Sequence, residues 1–373
     1  MPSVLHVVTT INRGGAENHL KVLAAGQAER GWKVTVAYLK GDGYWSAALR
    51  DAGVNVVALE WSGYTDLRIV GRLRALIDST APDVLHAHLP AAEVFTRLAY
   101  ARSRARPAFV ISKHSDDPIS TPLFWAGGFW AERGAVAVIA ISHAVARYLH
   151  RQHRLPPDKV HPIHYGLAPG PYDVVTRETI AGIRAAWGIA ADEVVVGTVA
   201  RIVTQKRIDL LIDSLAELRA RGRALRLVVV GTGDLEASLR KRARDKGVEQ
   251  ALTWAGRRED IPAVMQAFDI FALCSDYEGF GLVLLEAMAS RRPIVATRVS
   301  AIPEIVVDNV TGRLCSAGDA AGVASAIDAL FAAELRASMG AAGRERLERE
   351  FPVAKMVDAT LAIYSKAEAA SRA

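Results

Sequence analysis

Cysteine is almost absent from the 373-residue chain: Cys274 and Cys315 are the only two. That excludes a disulfide framework and a cysteine-ligated zinc site, and it makes the cytoplasm the expected compartment. No apolar run approaches the ~20 residues that cross a bilayer. The opening MPSVLHVVTTINRGG has no basic leader, and His6 interrupts its short apolar run, which argues against a cleaved secretory signal. Aromatic residues make up only 7% of the chain, and the densest basic stretch, Arg240, Lys241, Arg242, Arg244 and Lys246, has none within it. A nucleic-acid partner that stacks bases on aromatic platforms is therefore not expected. No Asp-x-Asp motif occurs, and no carboxylate is spaced to complete a metal centre around the histidines, so neither a metal nor another cofactor is expected.

What is present is the composition of a folded chain. Apolar residues at 51% exclude disorder over most of the length. At roughly 100–200 residues per domain, the length suggests about two domains. The formal charge of +6 tolerates an anionic partner without requiring one.

Short β-branched runs alternate with longer amphipathic stretches. In the first half the predicted strands are Val4–Val8, Lys33–Tyr38, Asn55–Leu59, Val84–Ala87, Phe109–Ser112 and Val136–Ile141. Helical patterns lie between them at Glu17–Glu29, Leu67–Ser79, Ala92–Ala101 and His143–His153. Strands that are apolar on both faces and alternate with helices predict a parallel sheet covered on both sides. Two glycines and two prolines within Gly166–Tyr172 read as a linker. The alternation then restarts with Val194–Val199, Arg226–Val230, Leu252–Ala255, Ile270–Leu273 and Ile294–Thr297, and the chain ends in helical stretches. The expected fold is α/β, with two facing Rossmann-like doubly wound domains. Ligands of such sheets bind beyond the carboxyl ends of the strands, so a cleft for two substrates is expected.

Four segments carry chemistry. In Ser275–Met288 a strand runs into a glycine-bearing loop, and a helix opens near Leu282. Helix-start amides with the dipole behind them attract an anion, and Gly279 and Gly281 leave room for its approach. Glu278 lies on the loop. Glu286 lies about one turn into the helix, among Leu284, Leu285, Ala287 and Met288, where a plain surface charge is awkward. In Gly197–Ile208, Arg201 and Lys206 share a strand-to-helix turn where a planar fork and a point charge can meet one anion. In Thr10–Glu17, Gly14 and Gly15 open a helix after the first strand. This is not a full dinucleotide fingerprint, and Val230–Asp234 is only a partial one. Finally, His86, His88 and His114 fall at strand ends. A zinc site needs a further ligand that the spacing does not supply, so His114 reads as a substrate contact.

These segments resemble the retaining, nucleotide-sugar-dependent glycosyltransferases of family 4, which have the GT-B fold. Gly14-Gly15-Ala16-Glu17 resembles the family's opening loop, Val199 to Lys206 its diphosphate-binding Arg/Lys pair, and Glu278 to Glu286 its E-x7-E motif. Weaker matches at Val230–Asp234, Ala255–Arg257 and Pro303–Ile305 follow in the family's order. His114-Ser115-Asp116 departs from it, because many relatives have Asp or Gly directly after the histidine. The resemblance implies an acceptor-side domain over residues 1–168, a donor domain over 169–352 and a last helix, 353–373, packed back on the first domain. It implies a nucleoside diphosphate sugar as co-substrate. Arg201 and Lys206 would hold the diphosphate, Glu286 the ribose and Glu278 the sugar hydroxyls, with Phe280, Gly281 and Leu282 completing that pocket. The base would lie near Arg257, and Gly15 and His114 would act at the transfer point.

The acceptor would be a small molecule, a glycan or a lipid-linked sugar. Ile119–Trp130, with Phe124, Trp125, Phe129 and Trp130, reads as core packing. Its second reading is an apolar lip in peripheral contact with the inner face of a membrane. The rival functions are a nucleotide-sugar epimerase of the same fold, a dinucleotide-dependent oxidoreductase and a non-catalytic nucleotide-sugar binder. The oxidoreductase lacks a convincing acidic residue ~20 positions after a complete glycine fingerprint.

Overall fold

The structure is a computed structural model that describes residues 1–115, 122–190 and 192–372, with only the helical course given for 122–125 and 372. The chain divides into two compact units. One comprises Met1–Gly166 and Val353–Ala373, and the other comprises Leu167–Pro352.

The first unit is a seven-stranded parallel sheet, ordered β3-β2-β1-β4-β5-β6-β7. Its strands are β1 (Ser3–Val8), β2 (Lys33–Tyr38), β3 (Asn55–Ala58), β4 (Val84–His88), β5 (Ala108–Lys113), β6 (Ala137–Ala140) and β7 (Val160–Pro162). The central strands are buried along almost their whole length, as expected where helices cover both faces. The final helix, Val353–Arg372, belongs to this unit. It packs against the helix Gly15–Glu29, where a Cβ on Gly26 would stand 2.7 Å from Val357. Tyr364 on that final helix is fully buried in the core of the first unit.

The second unit is a six-stranded parallel sheet, ordered β10-β9-β8-β11-β12-β13. Its strands are β8 (Val194–Val199), β9 (Leu225–Val230), β10 (Leu252–Gly256), β11 (Ile270–Leu273), β12 (Ile294–Thr297) and β13 (Gly312–Cys315). Leu210, Leu211, Leu215 and Leu218 of the helix Ile208–Ala220 seal one face of it together with Val196, Leu227 and Val229. In each sheet the strand order reverses beside the first strand of the unit. The loops that follow β1 and β4, and those that follow β8 and β11, therefore adjoin at the carboxyl edge, where such folds gather ligands.

The segment read as a linker contains one helical turn, Gly170–Asp173, with Pro171 in its first positions. Asp173 is held by Arg344 at 2.7 and 2.9 Å, which ties the turn to the body of the second unit. The sequence reading also passed over β7, β13 and the helices Ser46–Asp51 and Arg177–Ala186. Among the described residues, no helix is long and apolar enough to cross a membrane.

Candidate active site

In the second unit, β8 pairs with β11, so the loops that leave them lie side by side. They are tied by four links. Gln205 donates to the Tyr277 carbonyl at 2.8 Å, and the Asp276 amide donates to the Gln205 carbonyl at 2.9 Å. Arg207 donates to Asp276 at 3.0 Å. The fourth link is an ion pair between the Lys206 ammonium and the Glu278 carboxylate. The same Glu278 oxygen accepts a hydrogen bond from Ser275 Oγ at 2.7 Å. Glu278 is buried, so its charge depends on these two partners. Arg201 is exposed and makes no ion pair among the described residues.

Phe280 is buried with its ring edge-on to Phe351, 6.1 Å between centroids. Gly281 follows with φ +85°, a left-handed turn that a side chain resists, and it caps the eight-residue helix Leu282–Ala289. The amides of Leu282 and Val283 open that helix, where no preceding turn supplies acceptors. Leu284, Leu285, Ala287 and Met288 are buried and fix the helix against the sheet. Glu286 sits half-buried one turn in, with no hydrogen bond or ion pair among the described residues. Burial alone pushes its carboxyl up to about 7. The Tyr172 phenol is raised too, mainly by its own burial and then by the charge of Glu286.

Arg257 is exposed on the loop after β10, a strand that β9 separates from β8. The strand order therefore does not bring it to the Lys206–Glu278 pair. The glycines of Val230–Asp234 have a reason other than a nucleotide fingerprint. A Cβ on Gly231 would stand 1.9 Å from the Ala200 carbonyl oxygen, and one on Gly233 would stand 2.3 Å from that of Ile202. These glycines let the loop after β9 press against the loop that bears Arg201.

In the first unit, Gly15 is the first residue of its helix and is exposed. A Cβ there would meet nothing within 4 Å, so the protein's own packing does not require a glycine. Nearby, Thr10 Oγ1 donates to Glu17 at 2.8 Å. His114 follows β5. Its Nδ1 lies 2.5 Å from the Tyr165 hydroxyl, and its Nε2 lies 3.1 Å from His88 Nδ1. The preceding residue, Lys113, is buried with Nζ 2.8 Å from Glu93 and 2.9 Å from Glu132, and His153 meets Glu132 at 2.6 Å. That ionic cluster anchors the strand end that carries His114.

His86 and His88 do share one face of β4, but the third ring nitrogen nearest them belongs to His6, not to His114. The ring nitrogens of His6, His86 and His88 lie within 4.8 Å of one another. Each is already engaged. His6 meets His88 at 3.0 Å and Gln27 at 2.8 Å, and His86 meets Tyr364 at 2.6 Å and Ser112 at 2.8 Å. His88 completes its pair at His114. The set is a satisfied hydrogen-bond network.

Asp116 and Ile119–Thr121 lie outside the described residues, as do the side chains of Phe124 and Trp125. Farther along that helix, Arg133 lies over the Phe129 ring at 3.9 Å, and Trp130 is exposed with Arg97 4.8 Å from its ring centre. Sequence reasoning missed Ser275, Tyr165, His6 and Gln27. Ser275 opens the segment already singled out, so its place beside Glu278 was within reach. The other three are joined to the site only by folding.

Residues 180–346 match the glycosyl transferases group 1 family, and residues 13–169 match Glycosyltransferase Family 4. An alpha-D-kanosaminyltransferase of Streptomyces kanamyceticus is 32% identical over 189 residues, which span 49% of this chain and 49% of the relative. The N-acetyl-alpha-D-glucosaminyl L-malate synthase of Bacillus anthracis is 28% identical over 80% of this chain and 78% of its own. The chain thus spans about half of the first relative's length and about four-fifths of the second's. Among solved structures, Anabaena HepE in complex with UDP and glucose superposes with a TM-score of 0.86 at 23% identity, covering 98% of this chain and 100% of that one. Sucrose-phosphate synthase from Thermosynechococcus elongatus gives 0.83 at 20% identity, covering 99% and 100%. These likenesses identify the fold as GT-B.

Proposed function

The chain belongs to the family 4 type of glycosyltransferase, and from that premise we propose that it moves a sugar from a nucleoside diphosphate donor to a hydroxyl acceptor with retention at the anomeric carbon. The observation that carries the donor site is the Lys206–Glu278 pair beside the opening of the helix Leu282–Ala289. A dianionic diphosphate needs cations and amides already in place. Lys206 supplies one charge, Arg201 stands exposed on the same loop, and the helix start supplies amides with the dipole behind them. Lys206 turns from Glu278 toward the diphosphate, which frees the Glu278 carboxylate to accept hydrogen bonds from sugar hydroxyls. Stabilising charge on the departing diphosphate is the main catalytic term.

Glu286 takes the ribose. Its carboxyl has no hydrogen-bond or ion-pair partner among the described residues, and two hydroxyl donors would restore the stabilisation that burial removes. Phe280 and Gly281 shape that pocket, and Leu282 supplies its amide. Arg257 is left for the base side of the donor. Gly15 and His114, on the first unit, are assigned to substrate contact. The UDP bound by HepE supports a nucleoside diphosphate sugar as the co-substrate. Relatives named for phosphatidylinositol mannoside and lipopolysaccharide core synthesis support a glycan or lipid-linked acceptor. With an acceptor of that kind, the protein would work in the cytoplasm and touch the inner face of the membrane through the segment around Trp130. No metal is required where lysine, arginine and helix amides carry the charge.

A panel of UDP- and GDP-sugars offered with mixed acceptors, followed by free nucleoside diphosphate and by the anomeric proton signals of the product, tests this. Retained configuration and turnover that persists in excess chelator are expected. An inverted product, or activity lost to chelator and restored by magnesium or manganese, overturns the corresponding part. Conversion of the donor to an epimer without transfer would favour the rival reading.

A further inference from the structure

Tyr165, His114, His88, His6 and Gln27 form one unbroken line of hydrogen bonds through the first unit. The steps are 2.5 Å from Tyr165 to His114, 3.1 Å to His88, 3.0 Å to His6 and 2.8 Å to the Gln27 carbonyl oxygen. His6 and His88 are fully buried, and so is Gln27. Burial pulls His6 down to about 4 and His114 to about 3, and it takes His88 well below its ordinary value, so all three rings are neutral at pH 7.

A neutral imidazole has one donor nitrogen and one acceptor nitrogen. Fixing either end of such a line therefore fixes every ring in it. At one end, Gln27 Oε1 only accepts, so His6 Nε2 carries a proton and His6 Nδ1 accepts. His88 then donates from Nε2 and accepts at Nδ1, and His114 donates from Nε2 and accepts at Nδ1. The other end is compatible but does not decide, because the Tyr165 hydroxyl 2.5 Å away can either donate or accept, so Gln27 sets the direction. The Gln27 amide nitrogen faces the Tyr364 hydroxyl at 3.3 Å, and that hydroxyl meets His86 Nδ1 at 2.6 Å, which keeps the Gln27 oxygen turned toward His6. An amide neither takes up nor releases a proton near neutral pH, so the line carries no net proton. What it holds is a direction.

We propose that Gln27, His6 and His88 are positioning residues that keep His114 Nδ1 as a hydrogen-bond acceptor, so that His114 selects a substrate hydroxyl and rejects a phosphate oxygen, with the Tyr165 hydroxyl holding that place in the free protein. This rests on the reading of His114 as a substrate contact. A phosphate offers only acceptors, and an acceptor nitrogen repels it. A sugar hydroxyl can donate, as Tyr165 does.

The test uses the full chain labelled with 15N in its histidine rings, at pH 7. In the unaltered protein His114 should be protonated at Nε2 and bare at Nδ1. Gln27→Met removes the terminal acceptor, and His88→Phe cuts the line in its middle. Each should let His114 populate both tautomers. In each variant transfer should fall by about tenfold, the scale of one well-placed hydrogen bond, while calorimetric binding of UDP stays within twofold. Gln27→Lys, if it folds, should place the proton on Nδ1. A protonated Nδ1 in the unaltered protein overturns the proposal, and so do mixed tautomers with undiminished transfer. If no donor supports transfer at all, the function proposed above fails, and the ring spectra still decide the direction of the line.

Discussion

Lys206 and Glu278 lie 72 residues apart in the chain and form an ion pair where the loops after β8 and β11 meet. The carboxylate is buried, and the ammonium is its charge partner among the described residues. Removing either group alone strands the other, whereas removing both leaves no buried charge.

Lys206→Met should therefore destabilise the second unit by about 3 kcal/mol and lower kcat/KM by on the order of 10²-fold. The double variant Lys206→Met, Glu278→Gln should regain most of the stability and none of the activity. Urea unfolding beside donor kinetics separates the two effects. A single variant with unchanged kcat/KM would reduce Lys206 to a structural cation.

Glu286 links pH to both stability and binding. Its carboxyl is raised to about 7 in the folded chain, above an ordinary value near 4.5. The unfolded chain gives up this proton first, so stability falls as pH rises from about 4.5 to 7 and stays lower beyond. Glu286→Gln should raise Tm by a few degrees at pH 8 and change nothing at pH 4. Ribose hydroxyls that bind the carboxylate should lower its pKa, so UDP affinity should rise more steeply with pH up to about 7 in the unaltered protein than in the variant, where only the ionisation of the UDP phosphate remains. Calorimetry in two buffers of different ionisation enthalpy reads the released proton directly.

The buried histidines make the first unit sensitive to acid. His6 and His114 are lowered to about 4 and about 3, and His19, His86 and His88 lie well below 6.5, in each case chiefly through burial. A group depressed in this way contributes stability above its unfolded value that is lost as pH falls. Each ring that titrates only on unfolding removes up to ~1.4 kcal/mol per pH unit. Between pH 6.5 and 4, hydrogen exchange should therefore accelerate first in β1, β4 and β5. Equal loss of protection in β8 and β11 would contradict this.

Gly15→Ala offers the cleanest separation of packing from function. Nothing within 4 Å resists the added methyl, and alanine suits a helix start better than glycine, so Tm should hold or rise slightly. If the loop approaches substrate, transfer should fall at least tenfold all the same. A fully active variant would show that any small residue serves there.

The sheets were legible because buried parallel strands read as apolar runs. Lys33–Tyr38 and Val194–Val199 match the observed strands end for end. β7 was not legible, because three residues ending in proline carry no periodicity. Arg177–Ala186 hid for a different reason: only Ile183 is buried, so the apolar stripe is too thin to mark a helix. At the site, Lys206 and Glu278 could be named from loop chemistry, but their contact depends on the pairing of β8 with β11. The histidine line was further from reach. Its rings look like isolated core residues until folding sets His6 beside His88, and Gln27 meets Tyr364 from 337 positions away.

The return of Val353–Arg372 to the first unit has a consequence for biosynthesis. Tyr364 is fully buried there, beside His86 and Gln27. The ribosome makes residues 1–166 early, yet that unit lacks its closing helix until residues 353–372, which follow the whole of the second unit, have emerged. The second unit, by contrast, is one contiguous stretch. On the ribosome, the half made second can be finished first, and the half made first must wait with an open seam where the last helix will dock. A stop codon just after Pro352 would then spare the later-made half and leave the earlier one to the proteases.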